Sequence, residues 1–128
     1  MSFTNDFETR TLQWVFTTGS PTRPTEWHLA LYTVAPSDTG GGTEVSTSGT
    51  AYAREAVTFT VSGNTATNGS AIEYAAATAT FGTVVAVGVF DASTGGNLIA
   101  YANLSASKAI STGDILRIPA GDLDVTLD

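Results

Sequence analysis

The stretch VVAVGVF, residues 84–90, is apolar at consecutive positions, and it is followed by DASTGGN at 91–97 and LIAYANL at 98–104. A short run that is apolar on both faces of an extended chain is typical of a central strand in a packed sheet. The Thr-Gly-Gly-Asn segment that follows has the small and polar residues of a hairpin connection. The sequence therefore predicts a strand, a turn and an antiparallel return strand. Gly88 within the first strand predicts a bulge or a close neighbour.

Alternating apolar and polar residues extend this β pattern in both directions along the chain. Residues 27–32 place Trp27, Leu29 and Leu31 on one strand face. Residues 57–61 alternate Val, Phe and Val with Thr. Shorter runs at 65–67, 72–74, 115–118 and 123–127 are separated by turn residues. About seven or eight short strands with regularly spaced turns predict a mainly β fold, an antiparallel β-sandwich that is jelly-roll-like or Ig-like.

One segment, residues 5–17, has a helical pattern instead. Asn5 is the predicted N-cap, and Glu8 three residues later completes a capping-box relation. The apolar residues that fall near one helix face are Phe7, Leu12, Val15 and Phe16, and Trp14 lies off that face. With 128 residues the chain has the size of one domain. We therefore predict a single domain over 1–128, with a helical segment at 5–17 and a β-sandwich at 26–128.

The charge composition argues against two kinds of partner. Five basic residues are scattered among twelve acidic ones, and the net charge is −7. Nucleic acids and anionic membrane surfaces both require clustered Lys and Arg, so neither is an expected partner. No apolar run approaches the length of a membrane span, and the N-terminus does not have the pattern of a secretory signal. We expect synthesis in a cytoplasm.

The residues available for chemistry are few. The chain has no cysteine, and His28 is its only histidine, on a predicted strand. No serine has the G-x-S-x-G context of a nucleophile elbow. Calcium prefers oxygen ligands, and the sequence has two groups of acidic residues that could supply them. These groups are Asp38 with Glu44, and Asp122 with Asp124 and Asp128. Neither group has the spacing of an EF-hand. We expect no cofactor, no metal and no enzymatic activity, although paired carboxylates that meet only in space stay open.

Two segments have little to hold them within a sandwich, and these are the predicted protein interface. The first is the aromatic N-terminal segment, with Phe3, Phe7 and Trp14. It is expected to dock either on its own sandwich or on a neighbouring subunit. The second is the loop at 36–49, which contains three consecutive glycines and too little apolar surface to order itself. Its candidate interface residues are Pro36, Asp38 and Glu44.

Several strings in a fixed order resemble a family of small proteins encoded in tailed-bacteriophage genomes. They are LALYTVAP (29–36), YAR (52–54), TATN (65–68), GVFDA (88–92) with GGNLI (95–99), LSASK (104–108) and PAGDL (119–123). Members of this family are often labelled tail fibre proteins, and some look like capsid decoration (cement) proteins. The resemblance covers nearly the whole chain and carries no catalytic motif.

The resemblance implies a structural component of a phage virion. The first expectation is a cement protein on the capsid surface, a homotrimer that binds across boundaries of the major capsid protein and stabilises the head. The alternative is a tail fibre or baseplate module with an adhesive or host-recognition role. A third hypothesis, of a different class, is a small hydrolase or lectin-like protein that would use His28 or paired acids.

Overall fold

A computed structural model describes residues 1–127 and confirms a mainly β fold with one helix. The helix is α1 (Asn5–Phe16). The strands are β1 (Ser2–Phe3), β2 (His28–Val34), β3 (Thr43–Glu44), β4 (Glu55–Ala56), β5 (Phe59–Ser62), β6 (Thr65–Asn68), β7 (Ile72–Glu73), β8 (Gly82–Phe90), β9 (Leu98–Ile110), β10 (Arg117–Ile118) and β11 (Asp124–Thr126). The described residues thus form eleven strands. The number exceeds the seven or eight expected because five strands have only two residues.

The strands form two layers, as predicted for an antiparallel sandwich. The larger sheet has the order β1-β9-β8-β2-β3, and β4 pairs with the other end of β2. Its centre is the predicted hairpin, in which β8 pairs antiparallel with β9. The other layer consists of the sheet β11-β6-β5 and the pair β10-β7. The central strands β2 and β8 are therefore flanked on both edges.

Both faces of the central strands are buried, which explains their continuous apolar sequence. Leu29, Leu31 and Val84 face the main core between the layers, where they are fully buried. The opposite face carries a second buried cluster that includes Tyr32. Gly88 lies beneath this cluster, and a Cβ there would approach the Tyr32 ring to 3.0 Å. The close neighbour expected at Gly88 is confirmed, whereas the register shifts of β8 lie elsewhere along the strand.

The loop at 36–49 is more ordered than its sequence suggests. It contains β3, which pairs with β2, and Val45 within it is buried. The backbone of Gly42 has φ 75°, and a Cβ there would lie 2.6 Å from the Val34 carbonyl oxygen. The expectation that this segment cannot order itself is wrong. Its order comes from pairing with an existing strand and from backbone turns that only glycine tolerates.

An ion pair holds this loop to the rest of the sandwich. The Arg54 guanidinium donates to both carboxylate oxygens of Glu44, each at 2.9 Å. The Tyr52 hydroxyl donates to the same carboxylate at 2.7 Å and accepts the backbone N–H of Leu31. Burial acts to raise the pKa of Glu44, but the hydrogen bonds from Arg54 and Tyr52 and the Arg54 charge outweigh it and lower the pKa. The carboxylate is thus held in its ionised form.

We expect this carboxylate to make the stability of the fold acid-sensitive. A carboxyl group whose pKa is lower in the folded state contributes stability that is present above its unfolded pKa, near 4.5, and is lost as pH falls through the folded pKa. Below about pH 4.5 the free energy of unfolding should therefore decline more steeply in the wild type than in Glu44→Gln. Urea denaturation at a series of pH values between about 3 and 7 measures the free energy of unfolding of the wild type and of the variant. Parallel curves across this range would contradict the prediction.

The helix begins at the predicted residue but is capped differently. The N-cap residue is Thr4, not Asn5, and its side chain makes no cap hydrogen bond. The Thr4 hydroxyl instead donates to the Leu98 carbonyl at 2.8 Å. The helix ends at Phe16, one residue before the predicted end. Thr4 and the neighbouring strand β1 thus fasten the start of the helix to β9 and leave its C-terminal half to project.

Candidate interaction surface

The C-terminal half of α1 exposes large apolar side chains. Trp14 is 72% exposed and Phe16 is 78% exposed, with Leu12 and Val15 also more than half exposed. We call residues 12–16, with the sequence LQWVF, the helix tip. Four of its five residues are apolar, and Gln13 is its one polar member. Contiguous exposed apolar side chains are typical of sites that contact other proteins. The helix tip is therefore a candidate interaction surface.

The position of Trp14 on the helix differs from the prediction. Phe7 and Trp14 are seven residues apart, close to two full turns, so they lie on the same side of α1. Together with Arg10 they line a cavity of about 490 Å³ between α1 and the segment at 20–24. The placement of Trp14 off the Phe7 face is wrong. Leu12, Val15 and Phe16 point elsewhere, and only Phe7 among the apolar helix residues reaches the core.

An apolar groove lies beside the base of the helix. Its volume is about 300 Å³, and Val89 and Ile99 of the large sheet contribute to it. The large sheet also contributes Phe3 and Ala100, and the remaining lining residues come from the helix, the segment before β2 and the second layer. They are Phe7, Pro24, Trp27, Phe59, Val61, Ala66 and Val125. All of these residues are apolar. We call this opening into the core the apolar groove.

The structure places the six predicted interface residues in different environments. Phe3 lines the apolar groove, Phe7 and Pro36 are buried, and Trp14 is exposed. Asp38 is exposed, and Glu44 is half-buried. The N-terminal segment therefore docks on its own sandwich through Phe7 while exposing Trp14. The six residues do not form one patch, and their role as an interface stays a prediction.

Asp38 and Glu44 both make internal contacts. The Tyr101 hydroxyl donates to the Asp38 carboxylate, and the Asn5 backbone N–H donates to the Asp38 carbonyl at 2.9 Å. The hydrogen bond to Asp38 raises the pKa of Tyr101. Glu44 is committed to Arg54, as described above. The assumption that little holds this loop is therefore wrong for both acidic residues.

The sequence prediction missed three residues of the surface, which are Leu12, Val15 and Phe16. It grouped them with Phe7 on one face, although their helical angles separate them from it. The signal that could have found them is the five-residue window LQWVF. A helix needs one apolar stripe to pack on a sandwich, and this window has apolar residues outside any one stripe.

The candidates for chemistry do not converge in the described part of the chain. His28 lies on β2, and its Nε2 is 3.5 Å from the Glu26 carboxylate. No group of three or more acidic or histidine side chains within residues 1–127 is arranged to hold a metal ion. Asp128, one of the acids considered for calcium, lies outside the described residues. Within the same range, no helix is both long and apolar enough to cross a bilayer.

Comparison with known protein families shows the class of protein to which the chain belongs: it is a structural protein of the phage virion. Residues 2–126 match the family described as Podophage GP4 fiber I protein gp80, and the chain belongs to this family. The match confirms the resemblance to phage proteins that carry a tail fibre label. No curated protein matches the chain. The family description contains no statement of a reaction, a ligand or a residue role.

Proposed function

We propose that this chain is a non-catalytic fibre subunit of the virion that works by adhesion to neighbouring copies and to other virion proteins. The observation that carries the proposal is the helix tip, four large apolar side chains that project from a chain belonging to a fibre protein family. Burying such a surface contributes roughly 25 cal/mol per Å² of apolar area. The protein would thus be held in place by its neighbours, as a homotrimer.

Adhesion fits the rest of the molecule better than catalysis. Charged residues are 13% of the chain, about half the usual share, so few like charges oppose close packing of copies. The acidic side chains Asp38 and Glu44 are occupied by internal hydrogen bonds. A fibre module with host-recognition activity would use its loops, and most residues of the loop at 36–49 are exposed.

The capsid cement role is the second candidate. It would place the protein on the capsid surface, with the major capsid protein as its partner, and the low charge density suits this location equally. The family label favours the fibre. Copy number separates the two roles, because a cement protein is present in hundreds of copies and a fibre subunit in tens at most. Quantitative mass spectrometry of purified particles measures this number, and we expect the lower range.

A charged residue at the helix tip should prevent incorporation into particles. We expect Phe16→Asp to leave the chain folded, since Phe16 is 78% exposed, but to remove it from purified virions. Ile115→Asp is the matched control, because Ile115 is a large apolar residue with 56% exposure outside both the helix tip and the apolar groove. Immunoblots of particles and circular dichroism of the purified variants supply the readouts. Normal incorporation of folded Phe16→Asp would overturn the proposal.

A further inference from the structure

We propose that Asn68 is the site of a spontaneous, one-way modification, in which its side-chain amide closes onto the backbone nitrogen of Gly69, and that folding blocks this reaction. Asn68-Gly69 is the single Asn-Gly pair among the five asparagines of the chain. Glycine has no side chain to shield its nitrogen and leaves the backbone free to rotate, so an unfolded Asn-Gly pair cyclises faster than Asn before a larger residue. The reaction needs only water, and it is independent of the role of the chain in a fibre.

The reaction exchanges the amide of Asn68 for a carboxylate in two steps. The Gly69 nitrogen bonds to Cγ of Asn68, the bond from Cγ to Nδ2 breaks, and ammonia leaves with the proton that the Gly69 nitrogen carried. Water then opens the cyclic imide on either side of its nitrogen. Cleavage of the bond to Cγ gives aspartate. Cleavage of the bond to the main-chain carbonyl carbon gives isoaspartate, in which the backbone runs through the side chain.

The folded chain occupies both reacting groups. The Gly69 N–H donates to the Thr58 carbonyl at 2.9 Å and continues the ladder between β5 and β6, so a hydrogen bond holds the proton that must leave. The amide of Asn68 makes four hydrogen bonds of its own, two through Oδ1 and two through Nδ2. Attack at Cγ makes this planar carbon tetrahedral and moves both atoms away from their partners. Because the side chain is buried, water cannot readily replace the lost bonds.

The product does not fit the place that Asn68 occupies. In the aspartate product an oxygen stands where Nδ2 donates to the carbonyls of Ser70 and Pro119, both at 2.9 Å, so two hydrogen bonds become repulsive contacts between acceptors. The new charge is also buried. Isoaspartate lengthens the main chain at the position that pairs with Phe59. A chain modified while unfolded therefore refolds to a less stable state or not at all, which makes prolonged unfolding irreversible.

Peptide mapping by mass spectrometry compares the reaction in folded and unfolded chains, incubated at mildly alkaline pH without and with guanidinium chloride. In denaturant we expect Asn68 to be modified first of the five asparagines. In the folded chain its rate should be lower by about a hundredfold or more, because the reaction waits for the rare opening of a buried segment. Asn64 lies in an exposed turn and is the internal control, since its slower reaction should depend much less on folding. Equal rates at Asn68 in the two samples would overturn the proposal.

Gly69→Ala separates this reaction from other causes of irreversible unfolding. A Cβ at this position would lie 3.2 Å from the Thr60 methyl carbon, a contact that a small shift relieves, and the φ of Gly69 is not positive. In denaturant the variant should be modified several-fold more slowly than the wild type, and this rate is measured without any need to refold. We also expect the refolded fraction of the wild type to fall with time in denaturant, in step with modification of Asn68. A constant refolded fraction while Asn68 is modified would contradict the proposal.

Asn68→Asp reproduces one of the two products directly. We expect it to lower the melting temperature, whereas Asn64→Asp, the matched control in the exposed turn, should leave the melting temperature nearly unchanged. Thermal denaturation followed by circular dichroism measures both variants. An Asn68→Asp protein as stable as the wild type would overturn the claim that the modification is incompatible with the fold.

Discussion

Asn68→Ala should lower the free energy of unfolding by about 3 kcal/mol, because it leaves buried backbone groups without partners. The Asn68 side chain is 1% exposed and makes four hydrogen bonds, three of which tie the end of β6 to the turn at 119–123. Its Oδ1 accepts the backbone N–H groups of Gly121 and Leu123, at 3.1 and 2.9 Å. Its Nδ2 donates to the carbonyls of Ser70 and Pro119, both at 2.9 Å. The buried Leu123 N–H has the most to lose, since water cannot easily replace its partner.

Asn64→Ala is the matched control for this prediction. Asn64 lies in the exposed turn before β6, and its Nδ2 donates to the Leu127 carbonyl at the surface. Water can replace that bond, so we expect a loss below about 1 kcal/mol. Thermal and urea denaturation measure both variants, and the Asn68→Ala change should lower the melting temperature by roughly 10 °C. Equal losses in the two variants would show that the buried amide has no special role.

The contrast between these two asparagines shows what local sequence can predict. Both precede or follow turn residues, and Asn68-Gly69-Ser70 even matches a glycosylation sequon. Their local sequences do not distinguish them, and it is the fold that buries Asn68 and leaves Asn64 exposed. The central hairpin was predictable because its strands adjoin in sequence and its turn chemistry is local. The short pairs β1 with β9 and β7 with β10 join distant segments, and two-residue strands carry no periodic signal.

The location of the candidate interaction surface was predictable in part, and its role as an interface stays a prediction. Its N-terminal location follows from an aromatic segment at the end of a β-rich chain, and Trp14 is indeed exposed there. The apolar groove was beyond prediction because it combines residues from well-separated segments, among them Phe3, Trp27 and Val125. The side of α1 that reaches the core depends on Thr4 and β1, which set the rotation of the helix through contacts with β9.

Arg54→Ala should have the largest effect of the substitutions considered, a loss of about 3–5 kcal/mol, because it removes the charged donor from the half-buried Glu44 carboxylate and from two backbone carbonyls at once. The Arg54 side chain is 9% exposed, and it bonds both oxygens of Glu44. Its Nη1 also donates to the carbonyls of Ala92 and Gly95 in the β8–β9 hairpin, at 3.0 and 2.8 Å. The guanidinium carbon lies 3.6 Å from the centre of the Phe90 ring. One side chain thus joins β3 to the hairpin at the centre of the fold.

The geometry of the guanidinium makes Arg54→Lys a demanding test. A lysine keeps the charge, but its ammonium cannot make a paired contact with Glu44 and reach two carbonyls while stacking on Phe90. We therefore expect Lys to recover less than half of the loss caused by Ala. The matched control is Arg117→Ala, because Arg117 lies 3.8 Å from Glu73 and both side chains are more than half exposed. An exposed pair of this kind contributes about 0–1 kcal/mol.

A double-mutant cycle isolates the pairing of Arg54 with Glu44. Glu44→Gln and Arg54→Ala should together cost less than the sum of their separate losses, with a coupling of about 1–3 kcal/mol at pH 7. The coupling should become smaller below about pH 4.5, because Glu44 is increasingly protonated in the unfolded chain. The stability that its lowered pKa contributes to the folded state is then progressively lost. Urea denaturation of the four proteins at pH 7 and pH 3.5 measures both values, roughly at 25 °C. Additive losses at pH 7 would mean that Arg54 stabilises the fold through the hairpin carbonyls and Phe90 alone.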